Sequence, residues 1–248
     1  MYYKPYGYFR NDNVIENNTM SGNVITQQNN NIINNNNQNN IAENENMISY
    51  IRLLHAGPKA PSVDVYVNDS LLVRRFNYRE FTDYVKLPSG TYNIKVYATG
   101  DITSPIIETD LFIPPSIAMT VAVILDTDKT YTLFPAIETQ LQNVTKGRAQ
   151  VRIAHLISNA PSVDIALPNG TILYRDVQFK DLENYIELPV GRYTLEIRLA
   201  GTEVAILYIP NIRLRADRYY TIYAIGLVGE EPDPQVLIPL DGITYLDL

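Results

Sequence analysis

The chain has 248 residues and a formal net charge of −7. An acidic balance lacks the basic footprint that phosphate binding needs, which argues against a nucleic-acid partner. The absence of Cys removes disulfides and thiolate metal sites, and no stretch reaches the ~18 consecutive apolar residues of a membrane span.

Met1 to Arg10 is aromatic and turn-prone, with Tyr2, Tyr3, Tyr6, Tyr8 and Phe9 around Pro5 and Gly7. It lacks the basic segment and apolar run of a secretory signal, so a surface location is expected to be reached by another route. Asn then dominates up to Asn46. Polar low-complexity sequence of this kind cannot build a core of its own. Apolar pairs nevertheless recur at Val14-Ile15, Val24-Ile25 and Ile32-Ile33. Residues 1–47 are therefore an Asn-rich arm with two readings: a linker without fixed structure, or a series of strand-like anchors that dock on something. Asn-rich tracts pair as β-ladders in other settings.

From Met47 onward the pattern is short apolar alternation broken by Pro, Gly and Asn. Val63, Val65 and Val67 share one face of a strand, and so do Tyr92, Ile94 and Val96. Strands are predicted near 50–54, 62–67, 71–76, 82–87, 91–98, 106–112, 118–125 and 130–134, and again near 150–154, 162–167, 171–175, 183–188, 192–199, 203–209, 218–226 and 235–238. Asn169-Gly170 is a two-residue hairpin signal, because both central positions of a type I′ turn need positive φ. No window has the length and period of a helix. Regular short strands with frequent turns indicate sandwiches or barrels.

The two sets of strands are copies. Ile51–Val67 (IRLLHAGPKAPSVDVYV) returns as Val151–Leu167 (VRIAHLISNAPSVDIAL), with the two His of the chain, His55 and His155, in the same place. Tyr84–Tyr92 (YVKLPSGTY) returns as Tyr185–Tyr193 (YIELPVGRY). The expected organisation is the arm at 1–47, one module at 48–137, a polar linker at 138–148, a second module at 149–240 and a tail at 241–248 that forms one more edge strand. The linker allows relative motion unless the modules share an interface.

The chemistry-bearing residues gather in the repeated frame. His55, Asp64 and Ser62, with His155, Asp164 and Ser162, hold the ingredients of a hydrolase triad. Ser and Asp lie two apart on a strand and so face the same way. A triad also needs an oxyanion hole, and neither a nucleophile elbow nor a Gly-rich donor loop is present. The structural reading is preferred: each His ends a strand and bonds the Asp or a backbone group of the loop that follows. Two ligands make a weak metal site. Asp126 and Asp128, or Glu230, Glu231 and Asp233, lack the spaced oxygens of a calcium loop. No catalytic residue, cofactor or metal is assigned. Gly90 and Gly191 are expected to take positive φ after Pro. Tyr92 and Tyr193 are expected to turn their rings inward and bond a loop through the hydroxyl. Arg52 and Arg152 are candidates to pair with a neighbouring carboxylate, which at an exposed site contributes little.

The pattern around His55 and His155, with the downstream Leu-Pro-x-Gly-x-Tyr, resembles a bacterial family known as domain of unknown function 4397. That resemblance implies β-sandwich domains, often in tandem on surface or secreted proteins, and no activity. The Tyr- and Asn-rich arm on a chain without an export signal is also similar to spore-surface proteins, and the tandem arrangement to the main proteins of clostridial spore appendages. The fold expected is all-β: two tandem antiparallel β-sandwich (Ig/prealbumin-like) domains behind the arm. The function expected is a non-enzymatic structural protein of a bacterial spore surface or appendage, made in the mother-cell cytoplasm. It would form a homo-oligomer or polymer, alone or with other spore-surface proteins, joined by strand addition through Val14, Ile15, Val24, Ile25, Ile32 and Ile33. The alternative is a surface module that binds cell wall or carbohydrate, which exposed aromatics clustered on one loop face would favour.

Overall fold

The computed structural model describes residues 48–141 and 143–248. The first module contains β1 (Ile48–His55), β2 (Val63–Val67), β3 (Ser70–Phe76), β4 (Val85–Pro88), β5 (Gly90–Ala98), β6 (Ile107–Ile113), β7 (Ala118–Leu125) and β8 (Tyr131–Glu138). The second contains β9 (Arg148–His155), β10 (Val163–Ala166), β11 (Ile172–Val177), β12 (Ile186–Pro189), β13 (Gly191–Leu199), β14 (Ala205–Leu214), β15 (Arg218–Ile225) and β16 (Gln235–Leu237). Each predicted strand overlaps an observed one.

Each module is a two-sheet β-sandwich, and both have one topology. The first pairs a sheet of order β4-β1-β7-β8 with one of order β3-β2-β5-β6. The second repeats this as β12-β9-β15-β16 and β11-β10-β13-β14. The sheets are not wholly antiparallel: β1 runs parallel to β7, and β9 to β15. Parallel neighbours need a long crossover, and here the strands that visit the opposite sheet supply it. Inside the sandwiches the period-two alternation holds. Val63, Val65, Ile94 and Val96 are buried, as are Val163, Ile165, Leu195 and Ile197. Val67, Tyr92, Leu167 and Tyr193 are half-buried at the rim of the same cores.

The β1-β7 and β9-β15 sheets are buried on both faces. In β7, Met119, Val121 and Val123 enter the module's own core, while Ala122 and Ile124 point the other way. These join Leu54, Phe134 and Ala136 against Ala154, Leu156, Tyr223 and Ile225 of the second module. The two sandwiches therefore share a core of their own, which is the interface that keeps the 138–148 linker from letting them move apart. Glu138 belongs to β8 and is buried, and Leu141 packs in a cluster with Tyr185 and Ile243. The tail does not form the edge strand expected of it. Gly242–Thr244 is a single 3₁₀ turn rather than an edge strand. A side chain on Gly242 would stand 2.8 Å from the Tyr84 ring of the first module, which leaves room for glycine alone.

The shared core makes a direct prediction. Ile124 is fully buried although it faces away from its own sandwich. Ile124→Ala should destabilise the protein by about 2–5 kcal/mol in urea unfolding. A cost near zero would mean that this face is free in solution.

Candidate functional site

The repeated His frame is a backbone clasp. His55 ends β1, and its Nε2 lies 3.2 Å from the carbonyl oxygen of Pro61; His155 Nε2 lies 3.5 Å from that of Pro161. Such a bond requires Nε2 to carry the proton, leaving Nδ1 as an acceptor. The Ile157 N–H donates to that atom of His155 at 3.4 Å. Of the two bonding partners expected for each His, the backbone is the one used. Burial lowers the pKa of both imidazoles, against the opposing effect of the Pro carbonyls, so the rings are neutral.

Asp64 and Asp164 do not touch the histidines. Asp64 accepts from the Arg75 N–H at 2.8 Å and the Thr99 hydroxyl at 2.9 Å. Asp164 accepts from the N–H groups of Asp176 at 2.8 Å and Gly201 at 3.0 Å. Arg75 and Asp176 have φ of 53° and 50°, where the β2-β3 and β10-β11 ladders slip register. Each Asp thus holds the exposed N–H of a β-bulge. Burial opposes the Asp164 charge, yet those N–H groups keep its carboxyl below the usual range. Ser62 donates to Asn77 Oδ1 at 2.6 Å, away from His55. The ingredients of a triad are near one another in sequence and serve separate bonds.

Tyr92 and Tyr193 donate their hydroxyls to the carbonyls of Pro88 and Pro189, both at 2.8 Å. Gly90 takes the expected positive φ, 155°, whereas Gly191 is not among the positive-φ residues. For Gly191 the expectation of a positive φ is corrected: its backbone is ordinary strand, and a side chain there would meet the Tyr193 ring at 3.6 Å, an ordinary contact. The arm residues Val14, Ile15, Val24, Ile25, Ile32 and Ile33 lie outside the described residues.

The most elaborate polar arrangement joins the modules, and in it Arg52 and Arg152 are buried, with Arg52 beside two carboxylates. The two arginines are 5% and 4% exposed. Arg52 donates through Nε to Thr120 at 2.8 Å and through Nη1 to the Leu240 carbonyl of the second module at 2.9 Å. Arg152 donates through Nε to Thr221 at 2.9 Å and through Nη1 to the Ile137 carbonyl of the first module at 2.8 Å. Each arginine thus grips the strand end of the other module. Their planes stack on Tyr84 and Tyr185, 4.7 and 4.4 Å from the ring centroids. Those hydroxyls donate to Glu138 and Asp241 respectively. Glu138 and Asp241 occupy matching places, since Met119 faces Ile137 and Tyr220 faces Leu240.

The two halves are not identical. Asp241 Oδ1 lies 3.3 Å from Arg52 Nη2, and Glu138 Oε1 lies 3.7 Å from it. Glu138 Oε2 accepts from the Gly242 N–H at 2.7 Å. Burial, then the Asp241 charge, push the Glu138 carboxyl above its ordinary range. Burial disfavours the Arg52 charge, but Tyr84, Tyr223, Glu138 and Asp241 hold its pKa above the usual value. Two arginines and two carboxylates leave the cluster formally neutral, the condition on which charges are tolerated in an interior. Its sequence signal was the duplication itself: Arg52/Arg152, Thr120/Thr221 and Tyr84/Tyr185 recur in register.

Among the described residues no group of three or more His, Cys, Asp or Glu is placed to hold a metal ion. The first module's core encloses a small cavity of about 20 Å³ lined by Val, Leu and Ile, which offers a water none of the polar partners it needs. A shallow open groove of about 410 Å³ lies at one end of the second module, with Arg192, Arg213 and Arg215 on its walls.

The model of a family described as domain of unknown function (DUF4397) matches residues 49–166 and, a second time, 149–241. The chain belongs to that family. Both His frames and both Leu-Pro-x-Gly-x-Tyr signatures of the DUF4397 modules lie inside the matched residues. No curated protein matches the chain.

The neutral histidines give a pH prediction. In the unfolded chain His titrates near 6.5, and the folded pKa is lower. The unfolded state then binds more protons below pH 6.5, so the contribution of each DUF4397 clasp is full above that pH and falls as pH drops through it. Glu138, with a raised pKa, acts in the opposite sense. The His part is therefore the slope of melting temperature against pH between 7.5 and 5.5 that disappears in the double variant His55→Gln/His155→Gln. An unchanged slope would mean that the rings are charged or exposed.

Proposed function

We propose that the protein is a non-enzymatic building block of a bacterial spore surface or appendage, whose subunits are joined through the N-terminal arm by strand addition. The observation that carries this reading is the double-sided burial of the two central sheets. It makes residues 48–248 one stiff block of four stacked sheets, whose outer sheets end in open edges. A block of this kind suits load-bearing assembly. Its repeated polar residues serve the fold: His55 and His155 hold loop carbonyls, and Asp64 and Asp164 hold bulges.

Strand addition to an exposed edge is a known way of joining chains, with backbone bonds giving affinity and side-chain pockets giving register. The arm's apolar pairs, spaced along neutral Asn-rich sequence, suit it as the added strand. Among the described residues the large exposed aromatics Phe112, Tyr208 and Tyr245 lie on β6, on β14 and in the tail. That scatter favours assembly over a carbohydrate-binding face.

Light scattering and negative-stain microscopy test the proposal on the full chain, a chain lacking residues 1–46, and Ile32→Asp/Ile33→Asp. The full chain should polymerise, the truncated chain should be a folded monomer, and the double variant should assemble less at an unchanged melting temperature. A full chain that stays monomeric at high concentration would contradict it, as would a truncated chain that builds the same polymer.

A further inference from the structure

Four open sheets present eight edge strands among the described residues: β3, β4, β6, β8, β11, β12, β14 and β16. Natural sheets guard such edges with shortness, proline, bulges or charge. Seven of the eight show shortness, proline or a bulge. β4 and β12 are four residues long and end at Pro88 and Pro189. β16 has three residues. β8 carries Pro135, and β14 carries Pro210 with register shifts against β13. β3 and β11 are bulged at the left-handed Arg75 and Asp176.

β6 differs. Its seven residues, IETDLFI, contain no proline and pair with β5 throughout without a shift. Its outward face is exposed, with Phe112 60% accessible. The neighbouring strands fix which backbone groups are free. The Asn68 N–H bonds the Asn93 carbonyl on the β2 side of β5, at 2.9 Å. Backbone groups alternate sides along a strand, so those of Ile94 turn to β6, where Thr109 is its partner. The N–H and C=O groups of Glu108, Asp110 and Phe112 therefore face the open edge.

We infer that β6 is the acceptor edge for the arm of a second copy. This rests on the assembly proposed above and names the place where it happens. The chemistry of β6 selects its occupant. Pairing β6 with β6 of a second copy, in the register that uses all seven residues, sets Asp110 against Asp110, and like charges directly opposite are destabilising. Residues 17–42 of the arm carry no charge and no proline, and are mostly Asn and Gln. The contact such a strand would make is already present on the other side of β6: Asn93 Nδ2 donates to Asp110 Oδ1 at 3.0 Å. An Asn-rich strand on the free side repeats that bond, and its apolar pairs cover Phe112 and the rim of the core. The equivalent edge in the second module, β14, is closed by Pro210, so each molecule offers one acceptor and one donor. A donor and a distinct acceptor make a head-to-tail contact, which propagates into filaments when it does not close into a ring.

Two measurements on the full chain test this. Asp110→Pro removes an outward N–H and leaves the bonds to β5 in place. It should keep its near-ultraviolet circular dichroism and lose the polymer. Because the chain has no Cys, introduced pairs report contacts directly. Phe112→Cys chains, mixed with isotope-labelled chains bearing Ile25→Cys or Ile33→Cys, should form mixed disulfides between labelled and unlabelled molecules. A disulfide within one molecule carrying both substitutions would overturn the inference by naming another occupant. So would dimers of the Phe112→Cys chain alone, with no cross-link to the arm. Polymer formed equally by Asp110→Pro, with no arm cross-link, would overturn it while leaving assembly intact. A wild-type chain that does not assemble would overturn both.

Discussion

Two guanidinium groups buried between two sheets set the geometry of this molecule. Arg52 and Arg152 sit where a sandwich would ordinarily present a solvated face, and each reaches across to the strand end of the other module. An arginine buried without partners is expensive, and one that has lost a partner more so. The modules are thereby held in the one placement that gives each arginine a carbonyl of the other module, although Nη2 of Arg152 is buried without a hydrogen-bond partner. The apolar contacts around Leu54, Ile124 and Tyr223 contribute more of the binding free energy, since they remove area from water. They are non-directional, however, and sheets can slide over one another. The reciprocal arginine bonds, the stacked tyrosines and the carboxylates at Glu138 and Asp241 supply the direction.

This interface explains why the C-terminal residues are part of the fold. Asp241 stands where Glu138 stands in the first module, and the chain then turns over Tyr84 with a glycine that leaves no space for a side chain. The second copy of the module is completed by an acid that serves the first copy's arginine. The first copy's acid in turn receives backbone N–H groups from the tail. Neither module has a satisfied polar boundary alone.

The strands and the duplication were legible in sequence. Alternation in Val63-Asp64-Val65 or Tyr92-Asn93-Ile94 reports one buried face, and the repeat put both His frames in register. What sequence reasoning missed is a property of the second face. A strand buried on both sides has no alternation to show and reads as a continuous apolar run. AMTVAVIL in β7 and the Ile222–Ile225 end of β15 are such runs, and by themselves they do not differ from ordinary sandwich strands. Arg52 looked solvated because a charge in an apolar strand is usually at the surface; only its duplication as Arg152, beside duplicated Thr and Tyr, hinted otherwise. The bulge that occupies Asp64 had no signal, since Arg75 is not a residue that favours left-handed backbone; Asp176 gave only a faint one, Asp being among the residues enriched there. Gly191 misled in the opposite direction, as it has neither a positive φ nor a neighbour that a side chain would crowd.

The central claim is that the two modules are one cooperative body, and differential scanning calorimetry tests it most directly. The full chain should unfold in a single transition whose van't Hoff and calorimetric enthalpies agree, and the double variant Arg52→Ala/Arg152→Ala should split it into two. Two independent transitions in the wild-type protein, unchanged by the double variant, would contradict the claim and return the modules to beads on a linker.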